Sequence, residues 1–149
     1  MIQNKFKGLG IALITPFKAD GSIDYDALIR LVEYQIKNGA DFLCIMGTTA
    51  ETPCLSLDEK TRLKELLVER VAGRVPLLMG CGGNNTAAVV HELKTANWQG
   101  IDGILSVCPY YNKPSQEGLY QHFKAIAEAS PVPVVLYNVP GRTGVNMTA

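Results

Sequence analysis

The chain has 149 residues with 14 basic and 14 acidic side chains, so its formal charge is zero at neutral pH. Neither sign forms a run long enough for a nucleic-acid stripe, an acidic tail or a membrane-surface patch, which leaves a small molecule as the expected partner. The length suits one domain with its own core.

Four cysteines, Cys44, Cys54, Cys81 and Cys108, are widely spaced without a Cys-x-x-Cys pair, and three of them sit inside apolar runs. That is the pattern of buried free thiols in a reducing compartment. The start of the chain lacks a long apolar segment, and the run at 9–17 is too short to span a bilayer and contains Pro16. A soluble, cytoplasmic protein is expected.

The first apolar run, GIALITPF (10–17), reads as a strand, and the segment after it places Leu28, Leu31, Val32 and Ile36 on one helical face, with Asp24 as N-cap and Gly39 at the end. A second strand, DFLCIMG (41–47), precedes a helix opened by Ser56-Leu57-Asp58-Glu59. In that capping box Ser56 and Glu59 each satisfy a free backbone N–H. The helix buries Leu63, Leu66 and Leu67, and Gly73 is expected to close it. VPLLMGCG (75–82) is the third strand, followed by a helix from Asn85 or Thr86 through Val89, Val90 and Leu93 to Gly100. GILSVCP (103–109) is the fourth, and the next helix starts near Ser115 and buries Leu119, Phe123 and Ile126. VPVVLYNV (132–139) is the fifth.

These runs are nearly continuous rather than alternating, which predicts burial on both faces, and they recur at roughly thirty residues, the length of a strand-helix repeat. Repeated units of this kind force parallel strands, either in an open doubly wound sheet or in a (β/α)8 barrel. Nearly every strand end carries polar, chemistry-bearing residues: GTTAE, GCGGNN, CPYYNKP and YNVPGRTG. A doubly wound sheet concentrates such loops at its switch point, whereas function at every C-terminal strand end is the barrel pattern. The expectation is α/β, the N-terminal portion (about five strands) of a parallel (β/α)8 TIM barrel. Residues 1–149 would form the N-terminal part of a single domain whose other strands lie outside these residues. Left alone, such a piece would expose unpaired edges and an apolar interior.

Each strand end admits two readings. Thr48 and Thr49 offer adjacent hydroxyls beside Gly47, suited to a small carboxylate held by Thr49 and backbone N–H groups with Thr48 passing a proton, or else to ordinary turn and cap chemistry. Cys81-Gly82-Gly83-Asn84-Asn85 looks like a phosphate cradle, but no Gly-Lys-Ser/Thr follows, and tight strand-to-helix turning explains its glycines better. Tyr110 and Tyr111 stand between prolines, either as a subunit contact or with one phenol in a proton relay. Tyr137, at the end of the fifth strand, is placed for acid-base work or caps the core, and Arg142 can fork onto a carboxylate or join a surface ion pair. His91 and His122 lack a second ligand at helical spacing, so no metal site is expected.

Together GTTAE, PYYNKPSQEGLY and YNVPGRTG resemble the dihydrodipicolinate synthase family, among the pyruvate-dependent class I aldolases that also include N-acetylneuraminate lyase. The three motifs occur in family order and at family spacing along the whole chain. The resemblance implies a homotetrameric barrel, without metal or organic cofactor, that binds pyruvate as a lysine Schiff base and adds its enamine to L-aspartate 4-semialdehyde in lysine and diaminopimelate biosynthesis. It also implies that Thr49 binds the pyruvate carboxylate, Tyr137 is the main proton donor and acceptor, and Thr48 and Tyr111 complete the relay. Tyr111 would reach into the neighbouring subunit's site, and Arg142 would hold the aldehyde's carboxylate. Sialic-acid lyases resemble the family without this arginine, which favours the synthase over a related sugar-acid lyase; a non-catalytic half-barrel is the other alternative. Position 50 is Ala where the family usually has Gly; Asn84 and Tyr110 match the lysine-sensing pocket of sensitive members, but Leu57 and Ala88 replace its polar and acidic residues, so feedback inhibition is not expected.

A Schiff-base lysine needs a depressed pKa, obtained by burial on an inner strand position. The nine lysines, at 5, 7, 18, 37, 60, 64, 94, 113 and 124, all fall in predicted helices, loops or the N-terminal stretch. The family's lysine would lie on a sixth strand, so the 149 residues are expected to be inactive in isolation.

Overall fold

A computed structural model of the chain describes residues 5–148. The chain forms two compact units, Met1–Met79 with Gly100–Asp102, and Gly80–Gln99 with Gly103–Ala149.

In the first unit β1 (Gly10–Ala12), β2 (Phe42–Ile45) and β3 (Leu77–Gly80) pair in parallel, with Ile11 opposite Leu43 and Cys44 opposite Leu78. Parallel strands need a crossover, and α1 (Tyr25–Lys37) and α2 (Leu57–Val71) provide it. Asp24 caps α1 by accepting the Ala27 N–H. The expected capping box on α2 is present, with Glu59 N–H on the Ser56 hydroxyl and Ser56 N–H on the Glu59 carboxylate. Leu28 and Val32 of α1 and Leu63, Leu67 and Val71 of α2 are buried, as are Leu43, Ile45 and Leu77 of the strands. Outside this core Glu33 receives Arg74 and Arg70 at 2.9 and 2.8 Å.

In the second unit β4 (Gly103–Val107) and β5 (Val134–Tyr137) pair in parallel. Helices α3 (Thr86–Thr95) and α4 (Gln116–Ala129) contribute Val89, Leu93, Leu119, Phe123 and Ile126 to its core. Ser115 caps α4, accepting from the Gly118 N–H. A single helical turn, α5 (Pro140–Thr143), follows β5.

Several expectations are corrected. The regular strands are shorter than the apolar runs, most of all at the N-terminus, where only three residues of GIALITPF pair as a strand. Gly73 does not close α2: Ala72 takes the left-handed C-cap at φ 49°, and Gly73 follows at φ 70°. Helix α3 ends at Thr95, short of Gly100, because the stretch after it turns to let the Trp98 indole N–H reach the Leu93 carbonyl at 2.9 Å. The Pro-Gly corner of GRTG is a helical turn, for which Pro140 at the start supplies a preset φ and Gly144 at the end the left-handed cap. Burial on both faces holds for β2 and β3 but not for β1, whose Gly10 and Ala12 are exposed, or for β5, whose Val135 and Leu136 are 37% and 44% exposed.

Candidate active site

Thr48 and Thr49 form a tight 3-10 turn with Ala50 directly after β2. The Ala50 N–H donates to Gly47 at 3.1 Å, and the Glu51 N–H to Thr48 at 3.1 Å. Side chains brace the turn from both sides: the Thr52 hydroxyl donates to the Gly47 carbonyl at 3.1 Å, and the buried Thr15 hydroxyl donates to the Ala50 carbonyl at 2.8 Å. The threonines themselves stay exposed. The left-handed positions of this loop are Met46 and Glu51, at φ 53° and 54°, while position 50 has no positive φ. An alanine therefore fits where the family usually carries glycine, and its methyl is buried.

In the second unit Val107 stands opposite Tyr137, and the Cys108 N–H donates to the Tyr137 carbonyl at 3.0 Å. This register sets the loop after β4 beside the loop after β5. Tyr137 is half-buried at its strand end, whereas Tyr111 is 90% exposed and Tyr110 42%. Tyr111 and Lys113 hold φ of 72° and 48°. Asn112 anchors the loop by donating its amide to the Asn84 carbonyl at 2.8 Å.

Among the described residues, four of the five non-glycine residues with positive φ, Met46, Glu51, Tyr111 and Lys113, lie in the loops that carry Thr48, Thr49 and Tyr111. Such a backbone costs on the order of 1 kcal/mol per residue and concentrates at functional sites.

Arg142 is exposed on α5. The turn beneath it is fixed by Thr143, whose buried hydroxyl lies 3.2 Å from the Val139 carbonyl and 3.0 Å from that of Val145. Asn138 ties the returning chain: its amide donates to Asn146 at 2.8 Å, and its oxygen accepts the Met147 N–H at 3.1 Å. Asn138 and Thr143 lie inside YNVPGRTG, though no role is read for them from the sequence, and Thr15 lies outside every motif.

Of the glycines in Cys81-Gly82-Gly83, Gly82 serves close packing, whereas a β-carbon on Gly83 would meet Val89 at an ordinary 3.6 Å. A β-carbon on Gly82 would come 2.9 Å from the Val107 backbone nitrogen, which nothing flexible can relieve. Asn85 caps α3 by accepting the Ala88 N–H at 3.2 Å. Cys81 is buried there, and its thiol is pushed up to about 12, first by burial and then by Glu92. His91 is exposed on α3, and His122 is buried on α4 with Nδ1 2.7 Å from the Thr86 hydroxyl. None of the five strand segments contains a lysine. Among the described residues no helix is long and apolar enough to cross a membrane.

The strand ends thus present hydroxyls in the first unit and, in the second, a phenol at the end of β5, an exposed phenol and a guanidinium. Residues 5–149 match the Dihydrodipicolinate synthetase family. The chain is 65% identical over its whole length to a 4-hydroxy-tetrahydrodipicolinate synthase of Phocaeicola vulgatus, of which it covers 50%. A dihydrodipicolinate synthase structure from Bacillus anthracis is similar at a TM-score of 0.91 and 48% identity, over 99% of this chain and 50% of that one. Another, the chloride-inhibited enzyme of Acinetobacter baumannii in complex with pyruvate, is similar at a TM-score of 0.90 and 45% identity, over 95% of this chain and 48% of that one. The chain thus spans about half the length of the relatives it matches, and its five parallel strands with their helices correspond to that half of their barrel. With the family match running over nearly all of its residues, the chain belongs to the dihydrodipicolinate synthetase family.

Proposed function

We propose that residues 1–149 are the N-terminal part of a single barrel domain of a cytoplasmic 4-hydroxy-tetrahydrodipicolinate synthase. The observation that carries this reading is the 65% identity to such a synthase along the entire chain. The motifs GTTAE, PYYNKP and YNVPGRTG, each at a strand end, support it.

In this reading pyruvate enters beside the 3-10 turn, and Thr49 holds its carboxylate. A lysine supplied from beyond the five strands attacks the keto carbon. Water leaves as the imine forms, and loss of a methyl proton gives the enamine. The enamine carbon bonds to the aldehyde carbon of L-aspartate 4-semialdehyde, whose carboxylate Arg142 holds by a forked pair of hydrogen bonds. Each step moves a proton, and a chain of hydroxyls, Tyr137 with Thr48 and Tyr111, moves it without a metal. The 90% exposure of Tyr111 supports a place in a neighbouring subunit's site and hence self-association, as in a homotetramer.

The test uses the complete reading frame that contains this chain. With pyruvate and borohydride one lysine outside residues 1–149 gains the reduced pyruvyl adduct, and a coupled assay turns over aspartate semialdehyde but not N-acetylneuraminate. An adduct on any of the nine lysines of this chain, or turnover of the sugar acid alone, refutes the reading.

A further inference from the structure

The exits of β4 and β5 are joined by a contact that no motif announces. A β-carbon built on Gly144 would stand 3.1 Å from Lys113 Cε, and 3.9 and 3.8 Å from Cδ and Cγ. The lysine stem therefore lies along the residue that closes α5. Both partners are exposed and sit in left-handed backbone, Lys113 at φ 48° and Gly144 at φ 68°, which fixes the direction in which the Lys113 side chain leaves the main chain. The three atoms nearest that added carbon are all methylenes, and the Lys113 ammonium takes part in no ion pair among the described residues. Packing, not charge, is what Lys113 brings to this place. Gly144 in turn is the last rung of α5, donating its N–H to the Pro140 carbonyl at 2.9 Å, two residues after Arg142.

We propose that Lys113 is a positioning residue whose methylene stem buttresses Gly144 and thereby sets the aim of Arg142 at the aldehyde substrate's carboxylate. This rests on the role of Arg142 given above. Removing the stem should loosen α5 and weaken aldehyde binding, while pyruvate, which is held at another loop, is unaffected. A methionine has a stem of similar length and no charge, so it should restore both properties.

The experiment compares Lys113→Ala and Lys113→Met in the protein from the complete reading frame. It follows amide hydrogen exchange at Thr143 and Gly144 together with KM for each substrate. The expected result is faster exchange in Lys113→Ala and a roughly five- to tenfold higher KM for aspartate semialdehyde. The KM for pyruvate and kcat stay within twofold, and Lys113→Met is close to the wild type throughout. Equal loss in both variants would make the ammonium the acting group and overturn the proposal, as would unchanged exchange or unchanged aldehyde KM in Lys113→Ala. If the parent protein turns over no aspartate semialdehyde, the synthase reading fails instead, and the exchange data still decide whether the stem supports α5.

Discussion

Thr15 and Ala50 are 35 residues apart in sequence, yet the buried Thr15 hydroxyl donates a 2.8 Å hydrogen bond to the Ala50 carbonyl. One hydroxyl after β1 thus supports the turn that carries Thr48 and Thr49. Replacing Thr15 by Val keeps the shape and leaves a buried carbonyl without its partner, a loss of about 1–3 kcal/mol. Thr15→Ser keeps the donor and should recover most of it. Urea unfolding of the three proteins checks this, and equal midpoints for Val and Thr would show that the bond contributes nothing.

Acid should weaken the fold in two steps. Burial pushes the His122 imidazole below the ordinary histidine range. In the unfolded chain the ring titrates near ~6.5, so between that value and the lower folded one the unfolded state binds more protons, and stability falls as pH falls. The carboxylates act further down. Hydrogen bonds from Ser56 to Glu59, and from Arg74 to Glu33, hold both below the ordinary range, so their contribution is present above about pH 4 and is lost on further acidification. His122→Phe should remove the upper step and leave the lower one, read as the urea midpoint between pH 7 and 3. Survival of the upper step in that variant would assign it to other groups.

The thiols should separate sharply in reactivity. Cys54 is exposed, whereas Cys44, Cys81 and Cys108 are buried, and burial raises the pKa of all three. Only the thiolate attacks an alkylating reagent, so in the native protein at pH 8 iodoacetamide should modify Cys54 quickly and Cys44, Cys81 and Cys108 only in denaturant. Mass spectrometry counts the adducts, and Cys54→Ser should abolish the fast one. A fast adduct on Cys44, Cys81 or Cys108 would mean that these buried thiols open to solvent.

Much of the fold was legible because its signals are local. The Ser56–Glu59 capping box, the Asp24 and Ser115 caps and the apolar faces of α1, α2 and α4 arise within one or two helical turns, and all stand where the residues pointed. The ends of elements were less legible. Ala72 rather than Gly73 takes the left-handed cap, because the last backbone bond of α2 decides where the helix stops, and alanine tolerates the conformation at modest cost.

By itself, then, the sequence determined the period of strands and helices and the barrel class, which depend on residue types at short spacing, and its resemblance to the family put forward Thr48, Thr49, Tyr111, Tyr137 and Arg142 as candidates. Only the tertiary structure decided what holds that list in place. Thr15 under Ala50, Asn112 on Asn84, Asn138 on Asn146 and Lys113 along Gly144 are meetings of residues brought together by strand register and loop path. Nothing in the local sequence encodes such contacts, because their energy exists only once both loops have been folded to the same place.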